Sequence, residues 1–198
     1  MRNISFMSRA ELVRELIALP HPPIVSDAPA SDQASCESAP CLPQHASTDQ
    51  LVSHKLAVAR EMLLRDLLVR MQSGPVLASP EVVREWLALY CAKLEREVFI
   101  VLHLDVRRRL IEAEELFRGT LTETSIYPRE VVKSVLARNS ASLILAHNHP
   151  SGYLEPSPGD RVITAHLKSA LALIDVRIDD HFIVSGASML SFSEQGLL

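Results

Sequence analysis

A short apolar run, residues 143–146 (Leu-Ile-Leu-Ala), most limits what this chain can fold into. The run is branched and uninterrupted, so it predicts a central strand that is buried on both faces. It stops at two histidines one residue apart, His147 and His149. Pro150 and Gly152 then indicate a turn. The sequence therefore predicts a buried strand that ends where the histidines begin and is followed directly by a turn.

The two histidines and a later aspartate have the spacing of a metal site. Side chains i and i+2 of a strand point to the same side, so His147 and His149 can reach one ion together. Ser157, Pro158 and Asp160 have the chemistry of a helix start, with Ser157 at the N-cap and Asp160 in the first turn. From there Asp160 can return as a third ligand. Three protein ligands and one position left for water are typical of catalytic zinc.

Each part of this pattern also has a structural explanation. A histidine pair at this spacing is common in structural or solvated positions, and Ser157 with Asp160 can be only a helix cap. The occurrence of both features in one strand–loop–helix unit favours the metal site. Asn148 points to the opposite side of the strand from the histidines, which predicts that it fixes the loop and does not bind the ion.

The same residues resemble a known family. The segments 147–152 and 157–160 are similar to the His-x-His-x7-Ser-x2-Asp signature of JAMM (MPN+) metallopeptidase-like domains, in the variant carried by RadC proteins. The resemblance covers residues 76–198 and extends to segments 95–105, 127–130, 180–181 and 191–196. It implies a three-layer α-β-α domain with a mixed sheet, of the JAMM/MPN, cytidine-deaminase-like kind. It also implies Zn²⁺ at His147, His149 and Asp160, and cleavage of peptide or isopeptide bonds in a peptide or protein substrate.

The resemblance further implies two catalytic residues. Hydrolysis of an amide needs a base that takes a proton from water and returns it to the leaving nitrogen. Glu97 begins the first strand of the domain, where the family's glutamate lies, so it is the implied general acid/base. Glu95 is the alternative, and without the resemblance Glu97 would be interpreted as a surface residue. For Ser157 the resemblance implies stabilisation of an oxyanion, in competition with its role as a helix cap.

Periodicity predicts the remaining elements of the domain. Strands are expected at 97–105, toward Phe117, at 176–184 and at 189–192, and helices after Pro80, Pro128 and Asp160. Helices that flank a mixed sheet give a three-layer α/β domain. Trp86 is expected in the core, and the triplet at 107–109 (Arg-Arg-Arg) at a solvated hairpin tip rather than on phosphate. His103 and His181 are expected in structural roles within strands, and His166 on a solvated flank. Predicted buried positions include Val52, Leu56, Leu63, Leu136 and Val162.

The chain order predicts three parts. Residues 1–50 form an N-terminal segment with a short helix at 8–19 and a disordered linker, because 21–50 has no Lys or Arg and is rich in Pro, Ser, Ala and Asp. Residues 51–75 form a helical extension, which docks on the domain or is exchanged with a partner in a possible homodimer. Residues 76–198 form the RadC-like domain. The cysteines, Cys36, Cys41 and Cys91, make no disulfide framework.

The composition and net charge of the chain indicate where the protein is located and which partners it is expected to bind. No apolar run reaches ~18 residues, and the start lacks a secretory apolar segment, so we expect no membrane span and a cytoplasmic protein. RadC proteins have traditionally been linked to DNA repair, which makes a repair or recombination accessory with a structural or vestigial metal site the alternative function. The net charge is −4 for the chain and −3 for residues 76–198, however, and a duplex binder normally has a basic face.

A missing motif also argues against DNA binding. RadC proteins commonly carry an N-terminal helix-hairpin-helix module with a Gly-x-Gly turn, but residues 1–75 contain only Gly74. The chain thus resembles a shortened member of the family, and DNA binding is expected to be weak or absent. A nuclease of the His-Asn-His type is suggested only by the letters at 147–149, without the ββα spacing of that fold.

Overall fold

The computed structural model of the chain describes residues 3–18, 48–76, 80–119 and 126–198. The chain divides into two compact units, residues 1–63 and 64–198, and the boundary lies within one long helix. In the described ranges no helix is long and apolar enough to cross a membrane. Most of the predicted linker at 21–50, with Cys36 and Cys41, lies outside the described residues, but its last three residues, 48–50, are helical, so the prediction of disorder is wrong there.

The first unit contains α1 (Arg9–Ile17) and the first part of α2 (Thr48–Ser73), after one turn of 3-10 helix at Ile4–Phe6. The predicted helix at 8–19 is confirmed, although it ends at Ile17. Ser8 forms a capping box, in which its side chain accepts from the backbone N–H of Glu11 and the Glu11 carboxylate accepts from Ser8 N at 2.8 Å. Lys55 Nζ donates to three carbonyl oxygens at the end of α1, those of Glu15, Leu16 and Ala18, at 2.8, 2.7 and 2.5 Å.

The second unit is built on a five-stranded sheet with the order β2-β1-β3-β4-β5. The strands are β1 (Val98–Leu104), β2 (Leu110–Arg118), β3 (Ser142–Asn148), β4 (Arg177–Ser185) and β5 (Ser188–Ser191). Strands β3 and β4 pair in parallel, and the other neighbours are antiparallel, so the predicted mixed sheet is confirmed. β3 is central and buried at every residue, as the run at 143–146 predicts, but it continues through His147 to Asn148.

Helices cover both faces of this sheet and complete the three layers. α3 (Pro80–Cys91) and the end of α2 pack on one face, while α4 (Pro128–Arg138) and α5 (Pro158–Ala172) pack on the other. Alternate residues of β1 and β3 serve the two faces. The first core contains Val98, Ile100, Leu102, Ile144 and Ala146, and the second contains Phe99, Val101, Leu143 and Leu145. Because both faces are covered, every residue of β1 is buried.

The hairpin between β1 and β2 has a basic tip, as predicted. The Asp105 carboxylate accepts from the backbone N–H groups of Arg107 and Arg109 at 2.8 and 2.9 Å and from Arg109 Nε at 2.8 Å. Arg108 has a positive φ of 58° and lies 3.4 Å from the Asp179 carboxylate. Two of the three arginines are thus paired with aspartates of the fold.

Several predicted buried positions are wrong. Five apolar side chains are 51% to 62% exposed: Val52, Leu56 and Leu63 in α2, Leu136 in α4 and Val162 in α5. α2 carries apolar residues on more than one side, so periodicity alone does not select the buried face. In the second unit, that face is formed by Leu64, Leu67 and Met71. Trp86, by contrast, is 3% exposed and stacks on Tyr90 with ring centroids 4.8 Å apart, which confirms its core position.

Candidate metal centre

Three side chains from separate local structures meet at one end of the sheet. His147 lies at the end of β3, His149 in the loop that follows, and Asp160 in the first turn of α5. His147 Nε2 is 2.9 Å from His149 Nε2 and 3.2 Å from Asp160 Oδ1, and His149 Nε2 is 3.7 Å from Asp160 Oδ2. These three are the residues that the spacing predicts as ligands, and the fold brings their donor atoms together.

The loop after β3 is held by backbone contacts that aim His149 at this point. His149 N donates to the carbonyl oxygen of Val184 in β4 at 2.8 Å, which extends the parallel pairing past the end of β3. Gly152 N donates to the carbonyl oxygen of His149 at 3.2 Å, and Gly152 adopts a φ of 90°, where a side chain would be strained. The loop therefore turns immediately after the second histidine and leads the chain back toward α5.

In each of the two histidine rings, Nδ1 is the nitrogen that points away from the cluster, and it contacts another group of the protein. His149 Nδ1 donates to the carbonyl oxygen of Tyr153 at 2.8 Å, and because a carbonyl can only accept, Nε2 of this ring is left as the free nitrogen. His147 Nδ1 lies 2.9 Å from Nε2 of His181 in β4. Both Nε2 atoms consequently face each other and the Asp160 carboxylate. Partners of this kind orient metal-binding histidines in proteins.

Asp160 is held by the same helix start that presents it. Ser157 forms a capping box: its backbone N–H and its hydroxyl both donate to Asp160 Oδ2 at 2.7 Å, and its hydroxyl oxygen accepts from Asp160 N at 3.1 Å. Burial raises the pKa of Asp160, but contacts with His147 and Ser157 outweigh burial and hold the pKa well below its usual value. The carboxylate is therefore ionised at neutral pH, with Oδ1 turned toward His147.

The donor set fits a zinc ion. Donors about 2.0–2.2 Å from zinc at the corners of a tetrahedron lie roughly 3.3–3.6 Å apart. The two Nε2 atoms are 2.9 Å apart and His147 Nε2 is 3.2 Å from Asp160 Oδ1, close to that value, and one donor atom from each of the three residues lies within 4.8 Å of the others. Two neutral imidazoles and a carboxylate are also a common ligand set for catalytic zinc. Within the described part of the chain, this is the one group of three or more histidine, cysteine or acidic side chains arranged to hold an ion.

The register of β1 on β3 indicates where Glu97 lies relative to the cluster. Phe99 in β1 pairs with His147 in β3, and continuing this antiparallel register by two residues puts Glu97 opposite His149, on the same face of the sheet. Asn148 fixes the backbone on both sides of Glu97, since it accepts from Val98 N at 2.8 Å and donates to the Arg96 carbonyl at 3.0 Å. The Asn148 side chain thus fixes the segment that leads into β1, whereas it was predicted to fix the loop that follows β3. Glu97 is half-buried, whereas the alternative Glu95 is exposed.

His181 and Thr164 were not predicted as part of the site. His181 is fully buried, burial lowers its pKa well below the usual value, and its ring touches both His147 and Thr164. The available signal was a pair of polar residues at 180–181 at the start of an apolar strand. His103 does have the structural role expected of it, bonded to Ser140 Oγ at 2.8 Å. His166 is exposed, as predicted.

A three-layer domain with a mixed sheet, and with a histidine pair and an aspartate at one strand–helix junction, defines a JAB-type domain, a class related to metallopeptidases. The chain belongs to the RadC-like JAB domain family, whose pattern matches residues 77–197. The resemblance inferred from the His-Asn-His-Pro-Ser-Gly segment is confirmed at the level of the family.

Curated relatives are similar over the same part of the chain. A UPF0758 protein of Aromatoleum aromaticum is 58% identical over 145 residues, which cover 73% of this chain and 64% of the relative. UPF0758 proteins of Leptothrix cholodnii and Thiobacillus denitrificans are each 54% identical, over 73% and 72% of this chain. The chain spans just under two thirds of the length of these relatives, 64% to 65%.

Proposed function

We propose that this protein is a zinc-dependent hydrolase that cleaves peptide or isopeptide bonds. The observation that supports it is the convergence of His147 Nε2, His149 Nε2 and Asp160 within 3.7 Å of one another. These residues would hold the ion. The family supports the type of bond, because JAB domains are related to metallopeptidases.

The chemistry divides between the ion and the side chains around it. When bound, zinc lowers the pKa of a coordinated water from ~16 to roughly 7. The Glu97 carboxylate would accept a proton from the attacking water and return it to the leaving nitrogen of the substrate. Its position opposite His149, with its backbone fixed on both sides by Asn148, suits this transfer. Glu97 therefore acts in this proposal as a proton shuttle and not as a ligand.

Ser157 has a second use in the proposed reaction. Its side chain is exposed, and its hydroxyl hydrogen points to Asp160 Oδ2. To stabilise an oxyanion, this hydrogen turns from Asp160 to the substrate oxygen. The backbone N–H of Ser157 still donates to Asp160 Oδ2 after that turn, so the Asp160 carboxylate keeps one of the two hydrogen bonds that Ser157 donates to it.

The substrate would approach from the side of His149 and Asp160. Their side chains are 14% and 13% exposed, whereas the His147 side chain is 2% exposed. His147 thus forms the floor of the site. Between the proposed shuttle Glu97 and the hydroxyl of Ser157, a scissile amide would meet a base on one side and a hydrogen-bond donor on the other.

Zinc stoichiometry and turnover measured on the same preparations test this proposal. Wild-type protein reconstituted with zinc should retain one ion per chain after dialysis and cleave members of a library of peptide and isopeptide substrates. His149→Ala should retain neither zinc nor activity. His166→Ala removes an exposed histidine of α5 and is the matched control, which should behave as wild type. Wild-type protein free of zinc after reconstitution would refute the centre.

A further inference from the structure

A chain of three hydrogen bonds links one candidate ligand to the backbone of another. His147 Nδ1 lies 2.9 Å from His181 Nε2, His181 Nδ1 lies 2.7 Å from Thr164 Oγ1, and Thr164 Oγ1 lies 2.5 Å from the carbonyl oxygen of Asp160. The chain runs from β3 through β4 to α5. It therefore connects the two elements that present His147 and Asp160.

When the His181 ring is uncharged, only one arrangement of hydrogens satisfies all three bonds. The Asp160 carbonyl can only accept, so the single hydroxyl hydrogen of Thr164 is used there. Thr164 Oγ1 must then accept from His181 Nδ1–H, which leaves His181 Nε2 without a hydrogen. His181 Nε2 accepts in turn from His147 Nδ1–H. The last consequence is that Nε2 of His147 is the nitrogen left free to face the metal position.

The surroundings of His181 keep this ring in place and uncharged. It is fully buried, stacks on Phe192 with ring centroids 4.7 Å apart, and meets Phe99 edge-on at 5.8 Å. Within the described residues no carboxylate contacts either ring nitrogen, so a second hydrogen would place a charge at a fully buried position without a carboxylate partner, which costs free energy. Thr164 is 2% exposed, which keeps water from replacing its hydroxyl.

We propose that His181 and Thr164 are positioning residues for the metal centre, which fix the His147 ring in the tautomer whose Nε2 binds the ion. This inference rests on the metal centre of the proposed function and is independent of the reaction that the centre performs. Because the chain ends on the Asp160 backbone, it also fixes the distance between the His147 ring and the start of α5.

Three variants and one control test the proposal. His181→Phe removes both ring contacts, Thr164→Val removes the acceptor for His181, and His181→Gln keeps an acceptor for His147 and a donor for Thr164. His103→Gln is the matched control, because His103 is also fully buried and bonded in a strand, but at the far end of the sheet. Zinc affinity is measured by competition with a chelator, and ring tautomers by two-bond ¹H–¹⁵N NMR on metal-free protein.

We expect zinc affinity to fall about 10- to 100-fold in His181→Phe and Thr164→Val, the usual effect of losing a partner of a metal-binding histidine. His181→Gln should recover most of the loss, and His103→Gln should bind zinc as wild type does. In metal-free wild type, His147 should carry its hydrogen on Nδ1, and in Thr164→Val it should populate both tautomers. Threonine and valine have nearly the same shape, so Thr164→Val tests the positioning role even if His181→Phe does not fold.

Unchanged affinity in Thr164→Val, a hydrogen on His147 Nε2 in the metal-free wild type, or equal losses in His181→Gln and His181→Phe would each overturn the positioning role. Failure of the proposed function looks different. In that case wild type binds no zinc, while the tautomer of His147 in metal-free protein still decides whether the chain of hydrogen bonds is formed.

Discussion

The two histidines of the candidate centre face each other with their free nitrogens. Nε2 of His147 and Nε2 of His149 are 2.9 Å apart, and the other nitrogen of each ring contacts a protein group. Two lone pairs at this distance repel, so a cation between the two nitrogens would stabilise the arrangement. The ionised Asp160 carboxylate beside them favours a positive charge at the same point. The geometry is thus costly when empty and favourable when a cation is bound.

Glu97→Gln separates proton transfer from metal binding. The amide keeps the size and much of the hydrogen bonding of the carboxylate but cannot accept a proton from water. Zinc content should stay near one per chain, while turnover on a cleaved substrate should fall by the ~10² to 10⁴ attributed to general acid–base catalysis. The measurement is zinc stoichiometry and turnover on one preparation.

Asp160→Asn is the comparison for this variant, because it should lose zinc and activity together. If Glu97→Gln releases the metal, Glu97 is a ligand. If it keeps full turnover, another residue is the base, and Glu95→Gln becomes the next variant to assay.

Of the residues that meet at the candidate centre, the sequence predicts those that lie close together in the chain. His147, His149 and Asp160 follow from strand and helix spacing, since all three lie within one strand–loop–helix unit. His181 does not, because its contact with His147 depends on how β4 lies against β3. That register places Leu145 opposite His181, and no local pattern encodes it.

Among the elements, the start of α5 has two roles. Ser157 and Asp160 cap the helix with the side chains that are also predicted to act in the candidate centre. The sequence left the cap and the ligand as alternatives. The structure shows that they are compatible, because Asp160 uses Oδ2 for the cap and turns Oδ1 toward His147.

Ser157→Ala should therefore affect both stability and the site. Loss of the cap should lower the free energy of unfolding by about 0.5–2 kcal/mol, and turnover should fall further because the donor to the oxyanion is gone. Ser8→Ala is the matched control, since Ser8 forms the same capping box in α1. Chemical denaturation and turnover of both variants are the measurements. If both variants lost turnover equally, helix capping would be the only role left for Ser157.

Tyr90 reports on the packing of α3 against β2. Its hydroxyl donates to Glu115 at 3.0 Å, and burial together with the negative charge of Glu115 raises the pKa of Tyr90 to about 12. Because the folded pKa is above the unfolded value near 10, this contact contributes stability that is complete below pH 10 and is lost as the pH rises toward 12.

An alkaline titration followed by phenolate absorbance should show a step near pH 12 that is absent in Tyr90→Phe. Glu115→Gln should move the step to lower pH, because the amide removes the negative charge that opposes ionisation. A curve unchanged near pH 12 in Tyr90→Phe would mean that the contact does not form in solution.

The elements themselves were predicted better than their buried faces. The strand at 97–105, the hairpin and the helices after Pro128 and Asp160 are all present. The errors at Val52, Leu136 and Val162 arise because an apolar residue at helical spacing marks a possible face, and tertiary packing selects the face that is used. One of the buried positions of α5 is occupied by Thr164, which is polar and contacts His181. A pattern of apolar residues does not predict that position.

For the whole molecule, charge limits the partners. Residues 76–198 carry a net charge of −3, and Arg108 and Arg109 of the hairpin tip are paired with Asp179 and Asp105. Duplex DNA attracts proteins through clustered basic side chains that neutralise phosphates. We therefore expect duplex DNA to bind no better than the ~10⁻⁴ to 10⁻⁶ M of non-specific contacts at physiological salt.

Fluorescence anisotropy with labelled duplex, single-stranded and branched DNA over a range of salt concentrations measures this affinity. Arg107→Ala, at the exposed residue of the tip, should change it little. A nanomolar complex that selects a sequence or a DNA structure would favour a repair or recombination accessory over the hydrolase.

The candidate ion ligands and the proposed proton shuttle come from different segments of the chain. All three candidate ligands, with Thr164 and His181, lie in residues 142–185, a single β-α-β crossover of β3, α5 and β4. Glu97, the proposed proton shuttle, lies outside this crossover, and only the antiparallel alignment of β1 with β3 would bring it near the candidate ligands. A slip of one residue in that alignment turns Glu97 to the opposite face. If the proposed function is correct, mutations that shift the hairpin would remove the proton shuttle and leave the candidate ion ligands in place, so a descendant with intact histidines could bind a metal without being an enzyme.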